Sequence, residues 1–161
     1  MRTDTTRQRV FLTFASGDLA LARPAAARLV TGGGISLDQA LTSEPFASAR
    51  GDIIRASLLT RLRHCTSALC LYGARTTDDD WVRWALESAA QLSLPLLGAP
   101  LPGEATRDSE RFLTRLGVEL VPLSRDAIVT RTRDFSVRRP ARVIDAASIA
   151  ETLHLMRHPL R

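Results

Sequence analysis

Ser67-Ala68-Leu69-Cys70-Leu71-Tyr72 is an almost unbroken apolar run closed by Gly73. A strand at the centre of a parallel sheet is covered on both faces, so it reads as continuous hydrophobicity rather than as alternation. Its length suits a strand and is too short for a buried helix. The flanks agree. Before it, Ile54, Leu58, Leu62 and Cys65 recur at helical spacing and mark the buried stripe of a helix. After it, a polar loop ends in Asp78-Asp79-Asp80, and another helix is expected through about Gln91.

The alternation continues outward in both directions. Val10-Phe11-Leu12-Thr13-Phe14 is a β-rich run followed by the turn-like Ala15-Ser16-Gly17-Asp18. Ala22, Ala26, Leu29 and Val30 then follow helical spacing until Gly32-Gly33-Gly34 stops them. Ile35-Ser36-Leu37 reads as a short second strand, and Thr42-Ser43-Glu44-Pro45 as a loop. Pro95-Leu96-Leu97-Gly98-Ala99 supplies a fourth strand. A Pro/Gly loop at 100–107, a short helix at 108–116 closed by Gly117 and a fifth strand at 118–123 complete the series. Strands alternating with helices predict an α/β, flavodoxin-like fold: a parallel five-stranded sheet of order 2-1-3-4-5 with helices on both faces. The domain is expected over 8–125. Residues 126–161 read as a basic C-terminal extension whose terminal helix, at 146–156, packs on the same domain.

At 161 residues the chain fits one domain with a single core, and its 45% hydrophobic and 24% charged content is that of a globular protein. No apolar run is long enough to span a bilayer, and the N-terminus has no signal-like segment, so a cytoplasmic location is expected and no membrane partner. All 22 basic residues are arginine, and the chain contains neither lysine nor asparagine, which points to a GC-rich, bacterial genome. The +5 charge would favour nucleic acid, and Arg131, Arg133, Arg138, Arg139 and Arg142 cluster near the C-terminus. Aromatic residues are only 5%, however, leaving few platforms for stacking bases, so nucleic acid is not the expected partner. Cys65 and Cys70 are too few for a disulfide framework or a zinc set and read as buried thiols. His154 and His158 share a helical face but lack a third ligand, so no metal site is expected. His64 has no orienting acid and reads as a helix-end residue.

Open parallel sheets bind ligands at the carboxyl ends of their strands, where strand order reverses. That rim collects the loops after Phe14, Leu37 and Tyr72. Several chemistries are excluded there. A phosphoacceptor aspartate is missing from Leu71-Tyr72-Gly73, and a phosphate loop needs a lysine the chain does not have. Gly32-Gly33-Gly34 follows a helix rather than a strand, so it is a turn and not a dinucleotide fingerprint. No G-x-S-x-G elbow is present.

Asp80-Trp81-Val82-Arg83-Trp84-Ala85-Leu86-Glu87 is the most informative segment, because two tryptophans open a helix whose first turn faces this rim. Together with the first strand, Ser43-Glu44-Pro45-Phe46, Ser67–Tyr72 with Gly73, and the fourth strand, it resembles the TIR domains, especially the bacterial TIR-like proteins of Thoeris-type anti-phage systems. The resemblance covers roughly residues 8–100. It implies cleavage of the nicotinamide–ribose bond of NAD⁺, bound as substrate with no further cofactor, to give an ADP-ribose-derived signal nucleotide for a separate effector protein. Self-association is also implied. The cation-like ribosyl transition state of that cleavage is stabilised by a carboxylate. The family pattern W-V-x-x-E places this glutamate four residues after the first tryptophan, on the same helical face.

Here that catalytic position is Ala85. Glu87 lies about 200° from Ala85 around a helix, so it cannot substitute and reads as a surface charge. Two origins of Ala85 stay open: a naturally silent member of the family, or a Glu→Ala substitution, which the otherwise intact surroundings favour. Either way the chain is expected to bind NAD⁺ and turn it over poorly. By resemblance Phe14, Ala15 and Ser16 approach the nucleotide, Phe46, Tyr72 and Gly73 frame the site, and Trp81 walls it. Arg50 or Arg55 could meet phosphates, although a solvated helix face is the plainer reading. The competing readings are a non-catalytic TIR-type interaction module and a nucleic-acid-associated basic domain.

Overall fold

The computed structural model describes residues 7–39 and 45–138, with side chains through 135. Five parallel strands, β1 (Gln8–Thr13), β2 (Ile35–Gln39), β3 (Ser67–Tyr72), β4 (Leu96–Pro100) and β5 (Glu119–Leu120), form one sheet of order β2-β1-β3-β4-β5. This is the expected flavodoxin-like, TIR-like topology. Helices α1 (Leu19–Val30), α2 (Ala49–Arg63), α3 (Asp80–Gln91), α4 (Arg107–Arg115) and α5 (Arg125–Arg138) cover it.

The two faces follow from the pleat. Every residue of β3 is buried, and successive side chains serve different cores. Leu69 and Leu71 join Val10, Leu12 and the Ala22, Ala26 and Leu29 stripe of α1, together with Ile128 of α5. Ala68, Cys70 and Tyr72 join Phe11 and the apolar faces of α2, α3 and α4. Two helices therefore lie on one face and three on the other. β1 and β3 are paired from Val10↔Ser67 to Thr13↔Cys70, which brings their carboxyl ends level.

Local chemistry starts and stops these elements. Ser48 caps α2 by accepting the Gly51 N–H at 3.0 Å. Asp79 caps α3 by accepting the Val82 N–H at 3.1 Å, and Thr106 and Ser109 form a reciprocal capping box on α4. β5 is shorter than the expected 118–123. Val121 still donates to the Gly98 carbonyl at 2.8 Å, but Pro122 has no N–H with which to extend the ladder.

The basic stretch after residue 124 begins as α5, which buries Ile128 completely and Val129 nearly so. Residues 139–161 lie outside the described residues, and with them the helix expected at 146–156, Arg139, Arg142, His154 and His158. Ser43 and Glu44 also lie outside. Among the described residues no helix is long and apolar enough to cross a membrane.

Candidate functional site

Because β2 lies outside β1, the strand order reverses between β1 and β3, and the crevice at their carboxyl ends is the expected ligand position. The backbone leaves β1 through a 3-10 turn at Ser16–Asp18 and leaves β3 through Gly73 and a second 3-10 turn at Thr76–Asp78. A cavity of about 40 Å³ opens between these loops, lined by Phe14, Ser16, Gln39, Asp79, Trp81 and Ala85 among others. Trp81 and Ala85, one turn apart on α3, meet there as their spacing predicts. Ala85 is buried and lines the cavity. Glu87 is half-buried and does not line the cavity.

The remaining sequence-predicted residues separate. Phe14 lines the cavity and is buried; Ser16 lines it and is exposed. Ala15 is buried beside it without lining it. Phe46 stands behind Trp81, edge to face at 5.1 Å between ring centroids, and supports the wall. Tyr72 lies on the same face of the sheet but reaches the other way, its hydroxyl donating to Glu110 Oε1 of α4 at 3.4 Å. Burial, then the Glu110 carboxylate, raises the phenol and keeps it a donor. Gly73 faces the loops, where a methyl group would stand 3.1 Å from the Glu104 Cβ and 3.3 Å from Asp18 Oδ2.

Arg55 departs from the solvated-face expectation. It is 9% exposed, with its guanidinium 4.6 Å from the Phe46 ring centroid and 5.8 Å from that of Trp81. It also donates to the Phe46 carbonyl at 2.7 Å and pairs with Asp52. A single Arg at a helical position carries no signal of burial; only the arrival of Phe46 and Trp81 from other elements creates it.

Sequence reasoning placed Asp79 only at the end of the polar loop before α3. Its Oδ1 caps α3, while its Oδ2 accepts the Ser16 N–H at 3.2 Å, tying the β1 loop to the helix. It is the carboxylate among the cavity-lining residues. Asp18 stands close by, 6% exposed, with Oδ2 buried and without a hydrogen-bond partner. Burial raises its carboxyl, Arg75 pulls it back, and Glu104 and Asp79 raise it further.

A carboxyl raised in the folded state stabilises the fold fully below its unfolded value of 3.8, and that contribution is lost as pH rises through the folded value. Asp18→Asn removes the loss. Thermal melts should therefore show the variant more stable than the parent at pH 7, with the difference vanishing below about pH 4. An equal difference at both pH values would refute this account of Asp18.

The other candidates are quiet. Burial pushes the Cys65 thiol up to about 12 and the Cys70 thiol higher, so neither is a nucleophile at neutral pH. His64 is exposed at the C-terminus of α2. Arg131 is paired with Glu119 at 2.6 Å and stacked on Phe135 at 4.5 Å, so part of the basic cluster is neutralised within the fold. Among the described residues no group of three or more His, Cys, Asp or Glu side chains could hold a metal ion.

No protein-family model matches the chain, and no curated protein sequence matches it. Among solved structures it is similar to a crystal structure described as a "Putative pilus assembly-related protein" from Burkholderia pseudomallei. The two share 16% identity over 81% of this chain and 90% of that one, with a TM-score of 0.50. At that identity the likeness concerns the fold alone. The strand order by itself gives the chain the parallel sheet-and-helix topology of flavodoxin-like and TIR-like domains.

Proposed function

We propose that the chain is a TIR-like domain of the NAD⁺-consuming kind, serving bacterial anti-phage defence through an ADP-ribose-derived signal, and silent because Ala85 replaces the carboxylate. One observation carries the reading. Ala85 and Trp81 share a small cavity of about 40 Å³ at the strand-order reversal. That volume holds one or two waters, and it is of the order a carboxylate head would occupy. Trp81, contacted by Phe46 and Arg55, supplies a flat aromatic wall.

The test is Ala85→Glu, with NAD⁺ loss followed chromatographically. A positioned electrostatic group is worth roughly a hundred- to a thousandfold in rate, so turnover should rise by at least about a hundredfold over the parent chain. No turnover in either form, with both shown to be folded, would sink the enzyme reading.

A second reading, a non-catalytic interaction module, draws on the same cavity. A site enclosing a ligand of drug size needs roughly 300–1,000 Å³, far more than about 40 Å³, so a dinucleotide requires the wall to open. This reading expects self-association in light scattering and no NAD⁺ heat in calorimetry.

A further inference from the structure

The outer face of α4 carries a line of arginines. Arg107, Arg111 and Arg115 follow one another at four-residue spacing, so they stand about 6 Å apart along the helix and share its solvent side. All three are exposed. Arginines elsewhere meet carboxylates: Arg9, Arg55, Arg61, Arg125 and Arg131 each belong to an ion pair. Among the described residues Arg107, Arg111 and Arg115 have no such partner, and Asp108 on the flank of the line pairs with none of them. The line borders a groove of about 400 Å³ between α4 and β5, whose wall also includes Glu110, Thr114 and Leu120. Glu110 is engaged toward the sheet, where it accepts the Tyr72 hydroxyl at 3.4 Å.

The groove offers little to a peptide. Among the described residues Leu120, 37% exposed, is its one large apolar group, too little to anchor a partner by burial. β5 has two residues and is soon followed by Pro122, so the sheet edge is a poor template for an added strand. What remains is positive charge at a regular interval, which fits a regular polyanion. A phosphodiester backbone is one, and guanidinium groups bind phosphate through paired N–H donors. The scarcity of aromatic residues argues against a stacked single strand, but a duplex keeps its bases inside and is held through its phosphates without a stacking platform.

We propose that the α4–β5 groove is a sequence-independent contact for the phosphate backbone of double-stranded nucleic acid, with Arg107, Arg111 and Arg115 each neutralising one phosphate. The cavity shared by Trp81 and Ala85 has no residue in common with this groove, so the inference stands apart from the NAD⁺ reading. It also differs from the basic stretch around Arg131, where Glu119 already takes up charge.

The experiment is fluorescence anisotropy of the full chain with a short labelled DNA duplex of mixed sequence across a salt series. Each phosphate neutralised contributes about 0.9 to the slope of log affinity against log salt. The triple variant Arg107→Gln, Arg111→Gln, Arg115→Gln should therefore give a slope shallower than the parent's by about 2.7, and bind at least about tenfold more weakly at low salt. Glutamine keeps the helix propensity of exposed arginine, and circular dichroism checks the fold. Arg23→Gln with Arg28→Gln, on α1 across the sheet, removes exposed charge of the same kind and should leave the slope as in the parent. A parent chain that does not bind, an unchanged slope in the triple variant, or an equal loss of slope per charge in the α1 variant overturns the proposal. So does poly-glutamate that displaces the duplex as well as unlabelled duplex does, which would make the groove a site for acidic polypeptide.

Discussion

Trp84→Ala should destabilise the domain by about 3–5 kcal/mol, the range for deleting a buried aromatic side chain. Trp84 is 3% exposed and lies in the core between the sheet and α2, α3 and α4. Its ring meets Trp81 edge to face at 6.3 Å, so truncation leaves a cavity and removes the support on that side of the Trp81 wall. Against a typical total of about 5–15 kcal/mol, the loss is a large share of all the stability a domain has. For a chain of this length it corresponds to a fall in melting temperature of roughly 6–20 °C. Trp81, half-buried at the cavity, should cost clearly less when truncated. Equal losses at the two positions in urea melts would show that the division between core and wall is misplaced.

The second large effect is expected at Gly51. A glycine in a helix is about 1 kcal/mol worse than alanine, so Gly51→Ala would stabilise α2 if the helix stood alone. The tertiary contact reverses the sign. A Cβ there would lie 2.5 Å from the Phe46 carbonyl oxygen, a backbone atom that cannot swing aside as a side-chain tip can. Relieving the overlap moves the loop and strains the Arg55 bond to that same carbonyl, now 2.7 Å. Overpacking of this kind costs about 1–3 kcal/mol, and a charge-assisted hydrogen bond about 1.5–3 kcal/mol when lost. The net expectation is destabilisation by about 2 kcal/mol with reduced packing of Phe46 on Trp81, read as altered near-ultraviolet circular dichroism. A variant more stable than the parent would mean that Phe46 does not hold its place over α2.

The site was legible where its geometry is helical. Trp81 and Ala85 are one turn apart, and the 3.6-residue period alone puts them on one face. The same period correctly kept Glu87 out of the cavity. Strand parity puts Tyr72 with Ala68 and Cys70 but cannot say which helix covers that face. The partner proved to be Glu110 of α4, some forty positions further along the chain.

The sequence by itself determined the α/β alternation and the buried central strand, because hydrophobic period and turn residues act over a few neighbouring positions; the strand order followed from the open-sheet fold that such an alternation suggests. β3 needed no tertiary information to be recognised: an apolar run of its length between two helical stripes has one comfortable place in a sheet. The tertiary structure alone decided that Arg55 is stacked and buried against Phe46 and Trp81 and that Asp79 ties the Ser16 loop to α3. Each of these depends on groups far apart in the chain meeting through the sheet register. A carboxylate's role is set by what approaches its oxygens, and for Asp79 one of those partners, Ser16, comes from a loop sixty-three residues earlier.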